Sequence, residues 1–157
     1  MKFFEFSQNN SGGSFIVNDM LTHRVYIEAP SEREAVARAE DMGMYWNGVD
    51  EGMDCPCCGD RWSKPWRDDG MEFPYNYGAF TQKDAESIAS KYGITIEKRE
   101  DKKSYSNRDY DVVFPNIESY TQYMADEYGW ESPDVYIHYN DGRKVSIFSS
   151  KVEKRKK

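Results

Sequence analysis

The chain has 157 residues and a formal charge of −7, and only 26 residues are Leu, Ile, Val or Phe. That places it at the compositional edge of disorder, with length for one ordinary core rather than two well-packed domains. Eight Phe, twelve Tyr and four Trp against a single leucine, Leu21, shift burial onto rings, whose Tyr and Trp members also bring a polar group that needs a partner.

In chain order, Phe3 to Ser7 and Phe15 to Val17 read as strands flanking the polar loop Gln8 to Ser14. His23 to Glu28 alternates, with Val25 and Ile27 facing one way. A first helix is predicted from Ser31 to Met42, with Ser31 and Glu34 as a capping box, Ala35, Val36, Ala39 and Met42 on one face, and Gly43 as its stop. Met44 to Phe80 is rich in Gly, Pro, Trp and Asp and shows no clear period; an irregular stretch this long is usually functional, metal-tied or flexible. A second helix follows from Lys83 to Tyr92, terminated by Gly93, then a strand from Ile94 to Glu97 and another from Tyr110 to Phe114 after the charged loop Lys98 to Asp109. The third helix spans Ile117 to Tyr128, capped by Asn116 and closed by Gly129. Val135 to Tyr139 and Lys144 to Phe148 form a hairpin through Asn140, Asp141 and Gly142, which tolerate positive φ. The fold class that results is α+β: a mixed, mostly antiparallel sheet with three helices packed on it and an irregular Cys/Trp-rich segment, in one domain over residues 1–150, followed by a basic flexible tail at 151–157.

Charge is unevenly placed. Residues 143–157 hold seven Lys or Arg against one acid, Glu153, and the rest of the chain is strongly acidic. An acidic body repels nucleic-acid backbones, so nucleic acid is an unfavoured partner, whereas a basic protein surface would be attracted. No apolar run approaches the roughly 18 residues of a membrane span. Met1 to Ser14 lacks the basic start and apolar stretch of a secretory signal. The expected location is the cytoplasm.

All three cysteines fall in Asp54-Cys55-Pro56-Cys57-Cys58-Gly59-Asp60-Arg61-Trp62. Cys55 and Cys58 have the C-P-x-C-G spacing of a zinc or iron knuckle, in which two thiolates reach one metal and the glycine lets the turn fold back. One knuckle supplies two of four ligands. Cys57, His23, His138, nearby carboxylates, or the same knuckle of a second copy in a homodimer could complete a zinc site. The same residues suit small buried thiols in a tight turn. They also match a glutaredoxin-like redox pair, although Gly59 and Pro65 leave no room for the helix that such a pair uses to lower its first thiol's pKa.

Asn9, Asn10, Ser11, Gly12, Gly13 and Ser14 form the second candidate, because two glycines among Asn and Ser let backbone N–H groups converge on an anion such as the phosphate of a small nucleotide. A plain hairpin loop fits these residues as well. Trp46, Trp62, Trp66, Tyr45, Tyr75 and Tyr77 surround the cysteines in sequence and would serve either as a recognition surface or as an aromatic minicore, with Arg61 stacked beside Trp62 in both settings. Catalytic patterns are sparse. There is no Gly-x-Ser-x-Gly and no His-Glu-x-x-His, and His23 and His138 are the two bases that titrate near neutrality. The reading leans away from an enzyme, with metal-dependent hydrolysis as the form least at odds with the residues.

Phe6-Ser7-Gln8-Asn9-Asn10-Ser11-Gly12-Gly13-Ser14-Phe15, Ile27-Glu28-Ala29 before Glu34-Ala35, and Cys57-Cys58-Gly59-Asp60-Arg61-Trp62 together resemble a group of small tailed-bacteriophage proteins of unknown function. The resemblance covers roughly the first 65 residues. It implies the cytoplasm of an infected bacterium, where compact acidic accessory proteins bind and block host factors or sequester defence signals. The leading expectation is therefore a non-enzymatic accessory protein that binds and inhibits a host factor, such as a component of antiviral defence. Its alternatives are sequestration of a cyclic or linear nucleotide signal and metal-dependent hydrolysis. The residues expected to bind are Asn9, Asn10, Ser11, Gly12, Gly13, Arg61, Trp62 and Trp66, with Cys55 and Cys58 for zinc.

Overall fold

The computed structural model describes residues 1–10, 13–65, 69–99, 108–128 and 135–148. Along the chain the elements are β1 (Lys2–Ser7), β2 (Arg24–Ala29), α1 (Glu32–Met42), β3 (Tyr75–Phe80), α2 (Gln82–Tyr92), β4 (Thr95–Lys98), β5 (Tyr110–Phe114), α3 (Ile117–Tyr128), β6 (Val135–His138) and β7 (Lys144–Ile147). The class is α+β, as expected. The strands, however, form two sheets, and the chain divides into two compact units, Met1–Glu72 with Met124–Lys157, and Phe73–Tyr123.

In the first unit the sheet order is β1-β2-β6-β7. β2 pairs antiparallel with β1 (Phe4 opposite Ile27) and parallel with β6 (Val25 opposite Tyr136), which makes this sheet mixed. A central strand covered on both faces needs a continuous apolar run. β2 supplies one, since Tyr26 is buried along with Val25 and Ile27. α1 packs on β2. Ser31 Oγ accepts from the Glu34 N–H, and Gly43 closes the helix in the left-handed conformation at φ 112°, where a Cβ would be strained. Phe4, Phe6, Leu21, Val25, Ile27, Ala35, Ala39, Met44 and Trp62 make the core. The hairpin β6–β7 forms as expected, with Gly142 at φ 97° in its turn.

In the second unit the order is β3-β5-β4, both pairs antiparallel. α2 packs on this sheet, capped by Thr81 Oγ1 accepting from the Asp84 N–H. Tyr120 and Tyr123 of α3 meet Phe114 at ring-centroid distances of 5.5 Å each, and Tyr77 at 6.1 and 5.9 Å, within the range where edge-to-face and tilted ring pairs are favourable. Rings carry this core, as composition requires.

Two elements differ from the sequence reading. Phe15 to Val17 is not a strand: the Ile16 N–H donates to Gln8 Oε1 (2.6 Å) and Gln8 Nε2 donates to the Ile16 carbonyl (3.0 Å), so one carboxamide replaces the neighbouring strand. β3 lies inside the segment read as irregular. Its Tyr75-Asn76-Tyr77-Gly78 alternation is masked by Pro74 and Gly78, yet Gly78 is what permits close approach, because a methyl there would overlap the Asp111 carboxylate of β5. The tail at 151–157 and Gly129 lie outside the described residues.

Candidate functional site: the cysteine turn and the loop that braces it

Cys55 to Gly59 folds as a tight turn. The N–H groups of Cys58 and Gly59 both donate to the Cys55 carbonyl at 3.1 Å. Gly59 sits at φ 89°, a conformation that a side chain rarely adopts. Backbone N–H groups of Cys57 and Cys58 are directed at the Cys55 sulfur, and the Cys57 and Cys58 thiols interact with it as well; these donors hold the Cys55 thiol below the ordinary thiol range. Cys57 and Cys58 are exposed, Cys55 is half-buried, and none of the three is joined in a disulfide.

The turn is braced from behind by the residues of the other sequence motif. Asn9 Nδ2 donates to the carbonyls of Cys58 (2.6 Å) and Asp60 (3.3 Å), and the Asn9 N–H donates to the Arg61 carbonyl at 2.7 Å. Arg61 reaches back: its Nη1 donates to Gln8 Oε1 (3.0 Å) and to the Ser14 carbonyl (2.8 Å). Gln8 completes the brace by donating to the Thr22 carbonyl at 3.0 Å. Gln8, Asn9 and Ser14 and the segment Cys58 to Arg61, about fifty residues apart, are thus one hydrogen-bonded assembly.

A second layer fixes the segment before the cysteines. Asp54 Oδ1 accepts from the Tyr45 hydroxyl (2.7 Å) and Oδ2 from the Arg61 N–H (2.8 Å), with Arg61 Nε 3.9 Å from the carboxylate. Burial, followed by donation to that carboxylate, raises the Tyr45 pKa. Asp60 Oδ1 accepts from the Val49 N–H at 2.9 Å. Gly48 is required here, because any Cβ would overlap Asp54. Gln8, Gly48 and Asp54 do not stand out in the sequence as site residues. An acid directly ahead of the first cysteine is the one sequence signal that could have pointed to Asp54.

Trp62 corrects the expected recognition surface. It is 1% exposed and belongs to the core beside Phe6 and Leu21, because the backbone bridge between Gln8 and Trp62 turns its ring inward. Trp46 is half-buried and stacks on Phe6 at 5.8 Å. Tyr75 and Tyr77 belong to the ring cluster of the second unit. Trp66, Ser11 and Gly12 lie outside the described residues. Asn10 is exposed, and Gly13 is at φ 85° with open space around its Cα. Exposed apolar side chains of this unit come instead from Met53 (62%), two residues before the turn, and from Phe15, Val17 and Met20 (38, 51 and 42%) between β1 and β2.

Two of the residues proposed to complete a metal site within the chain, His138 and His23, have their contacts elsewhere. His138 Nε2 lies 2.8 Å from the Met20 carbonyl, and burial lowers its pKa. The His23 ring packs on Phe15 at 4.1 Å and its Nδ1 is 3.3 Å from Thr22 Oγ1. Among the described residues no group of three or more His, Cys, Asp or Glu side chains is arranged to hold a metal ion, and no helix is long and apolar enough to cross a membrane.

A family model described as a domain of unknown function, DUF7296, matches residues 1–154. The chain belongs to the DUF7296 family. The match takes in both units of this family member, the cysteine turn and the loop that braces it. No curated protein and no solved structure matches it.

Proposed function

We propose that this chain is a non-enzymatic binding protein that engages a protein partner through the Cys55 to Gly59 turn and the apolar residues flanking it. The observation that carries the reading is the bracing itself. Cys57 and Cys58 are exposed and contribute little to the core, yet Asn9 fixes the Cys58 carbonyl from a distant part of the chain and Gln8, beside it, holds the Arg61 that follows the turn. Ordering an exposed loop in advance lowers the entropy lost on association, and that is its use in recognition. Met53, two residues before the turn, and Phe15, next to the Ser14 carbonyl that Arg61 holds, supply exposed apolar area, taking the place of the buried indole. The formal charge of −7 favours a basic partner surface and speeds its encounter. The resemblance of the first 65 residues to small tailed-bacteriophage proteins supplies the setting. In that setting the partner is a bacterial host factor, with antiviral defence components the first class to try, and binding would inhibit it.

Nucleotide capture by the Asn9 to Ser14 loop is the weaker reading, because the Asn9 amide, the Arg61 guanidinium and the Ser14 carbonyl are engaged within the chain. The test is affinity isolation from bacterial lysate with the chain immobilised, before and after alkylation of its thiols. One stoichiometric partner, lost on alkylation, is the expected result. A partner retained equally by the alkylated chain would remove the turn from the interface, and a large thermal shift with a nucleotide but no protein captured would favour the alternative.

A further inference from the structure

The cysteine turn has a property beyond rigidity. Cys55 opens a closed turn in which the N–H groups of Cys58 and Gly59 donate to its carbonyl, and the backbone N–H groups of Cys57 and Cys58, with both neighbouring thiols, are directed at its sulfur. That is the arrangement a two-thiolate half-site needs, since N–H donors stabilise sulfur that carries charge toward a metal. Two ligands do not satisfy a tetrahedral ion. The nearby carboxylates cannot serve without dismantling the brace: Asp54 holds the Tyr45 hydroxyl and the Arg61 N–H, and Asp60 holds the Val49 N–H. His138 is buried on the Met20 carbonyl and His23 is packed on Phe15. Cys57 makes no third ligand of a described group. Cys58 is exposed and Cys55 half-buried, so the missing pair can come from outside the chain, and an identical turn supplies two thiolates of matching geometry by twofold symmetry.

We infer that Cys55 and Cys58 form half of a four-thiolate site for a thiophilic divalent cation, completed by Cys55 and Cys58 of a second copy of this chain. The metal is the glue of the pair. Two chains that each carry a formal charge of −7 repel in its absence, and the four thiolates around one zinc ion hold them together. The turn can meet a second copy only if it is an available contact element, so the inference shares that premise with the proposed function but does not need the host partner.

The experiment uses the full chain, fully reduced, in a phosphine reductant and chelator-treated buffer, with zinc chloride as the probe. Light scattering behind size exclusion should give 18.4 kDa without metal and about twice that after one zinc per two chains is added, reversed by excess chelator. Cobalt should give the visible spectrum of a tetrahedral thiolate site. Cys55→Ser and Cys58→Ser should each abolish both readouts while tryptophan emission and circular dichroism stay unchanged, and Cys57→Ser should keep both. Overturning results are zinc bound one per chain with no change of mass, loss of binding in Cys57→Ser equal to that in Cys55→Ser, failure to retain zinc at all, or a mass doubling that survives chelator and collapses only with added reductant, which marks an intermolecular disulfide. A chain that ignores zinc but loses its host partner on alkylation defeats this inference and leaves the proposed function standing. The reverse pair of results does the opposite.

Discussion

Replacing Gln8 by Leu tests whether one carboxamide holds the bracing loop to the sheet and to the cysteine turn. The substitution keeps side-chain bulk and removes four hydrogen bonds: two donated by Nε2, to the carbonyls of Ile16 and Thr22 (3.0 Å each), and two accepted by Oε1, from the Ile16 N–H (2.6 Å) and Arg61 Nη1 (3.0 Å). At a net of about 0.5–1.5 kcal/mol each, four bonds amount to roughly 2–6 kcal/mol. Three of the four are only part-buried, where water can replace the lost partner, so the expected loss is about 2–4 kcal/mol, a large share of the roughly 5–15 kcal/mol that stabilises a domain. Trp46 and Trp62 lie in the first unit, and tryptophan fluorescence during urea unfolding reports that unit. With a urea slope of about 2 kcal/mol per molar, the midpoint should fall by about 1–2 M. Hydrogen exchange should show loss of protection at the Ile16 amide. Loss of less than about 0.5 kcal/mol, or an Ile16 amide as protected as before, would refute the brace, since a dispensable Gln8 would return much less than the four bonds imply.

Three further outcomes follow from the same geometry. Gly48→Ala should lower first-unit stability by about 1–3 kcal/mol in the urea assay, because the new methyl overlaps the Asp54 carboxylate and must push it off Tyr45 and Arg61; an unchanged midpoint would mean that the segment yields freely. Cys55 should be alkylated at a pH where ordinary thiols are still protonated, because N–H donors from Cys57 and Cys58 hold its pKa below the reference value of 9.0; a rate profile for the Cys57→Ser, Cys58→Ser double variant that also inflects below that value would show that the backbone donors suffice, and an inflection at the ordinary value would show that they do not. His138 should make the fold acid-sensitive: burial lowers its folded pKa below the unfolded value of 6.5, so the unfolded state takes up the proton first and stability declines as pH falls through 6.5, with full stability above it. Thermal melts between pH 8 and pH 5 should show a shallower decline for His138→Gln than for the unaltered chain, and parallel curves would remove His138 as a cause.

Local signals made the helices and the hairpin legible. Ser31, Thr81 and Asn116 act as caps, and Gly43 and Gly93 stop their helices, because capping depends on neighbours within a turn. What the sequence concealed is non-local. Phe15 to Val17 has the composition of a strand, but its polar groups are satisfied by Gln8, eight residues earlier, and no propensity encodes a side chain standing in for a strand. β3 was hidden by Pro74 and Gly78, residues that punctuate a chain in isolation, whereas here Gly78 permits the close packing of β3 against β5. At the candidate site, the cysteine spacing was legible, and so was the prominence of Asn9 and Arg61. That the two touch was not, since it depends on β1 delivering Gln8 and Asn9 to the same end of the unit as Trp62.

Trp62 shows why an aromatic near a functional motif is ambiguous until burial is known. The residue follows Arg61 directly, and along an extended backbone neighbouring side chains point to opposite sides. Arg61 uses its side to reach Gln8 and Ser14, and Trp62 must then enter the core, where it packs with Phe6 and Leu21. The ring and the guanidinium therefore hold the same segment from two sides. The indole anchors the stretch of chain that leaves the turn, and the cation ties that stretch to the bracing loop. Removing the indole would cost about 3–5 kcal/mol as a large-to-small core change and would free the turn indirectly, whereas removing Cys57 or Cys58, both exposed, should leave stability nearly untouched and act on binding alone. A surface whose chemistry can be altered without touching the fold, set on a frame that cannot be altered without loosening the surface, is the division of labour expected of a preorganised contact site.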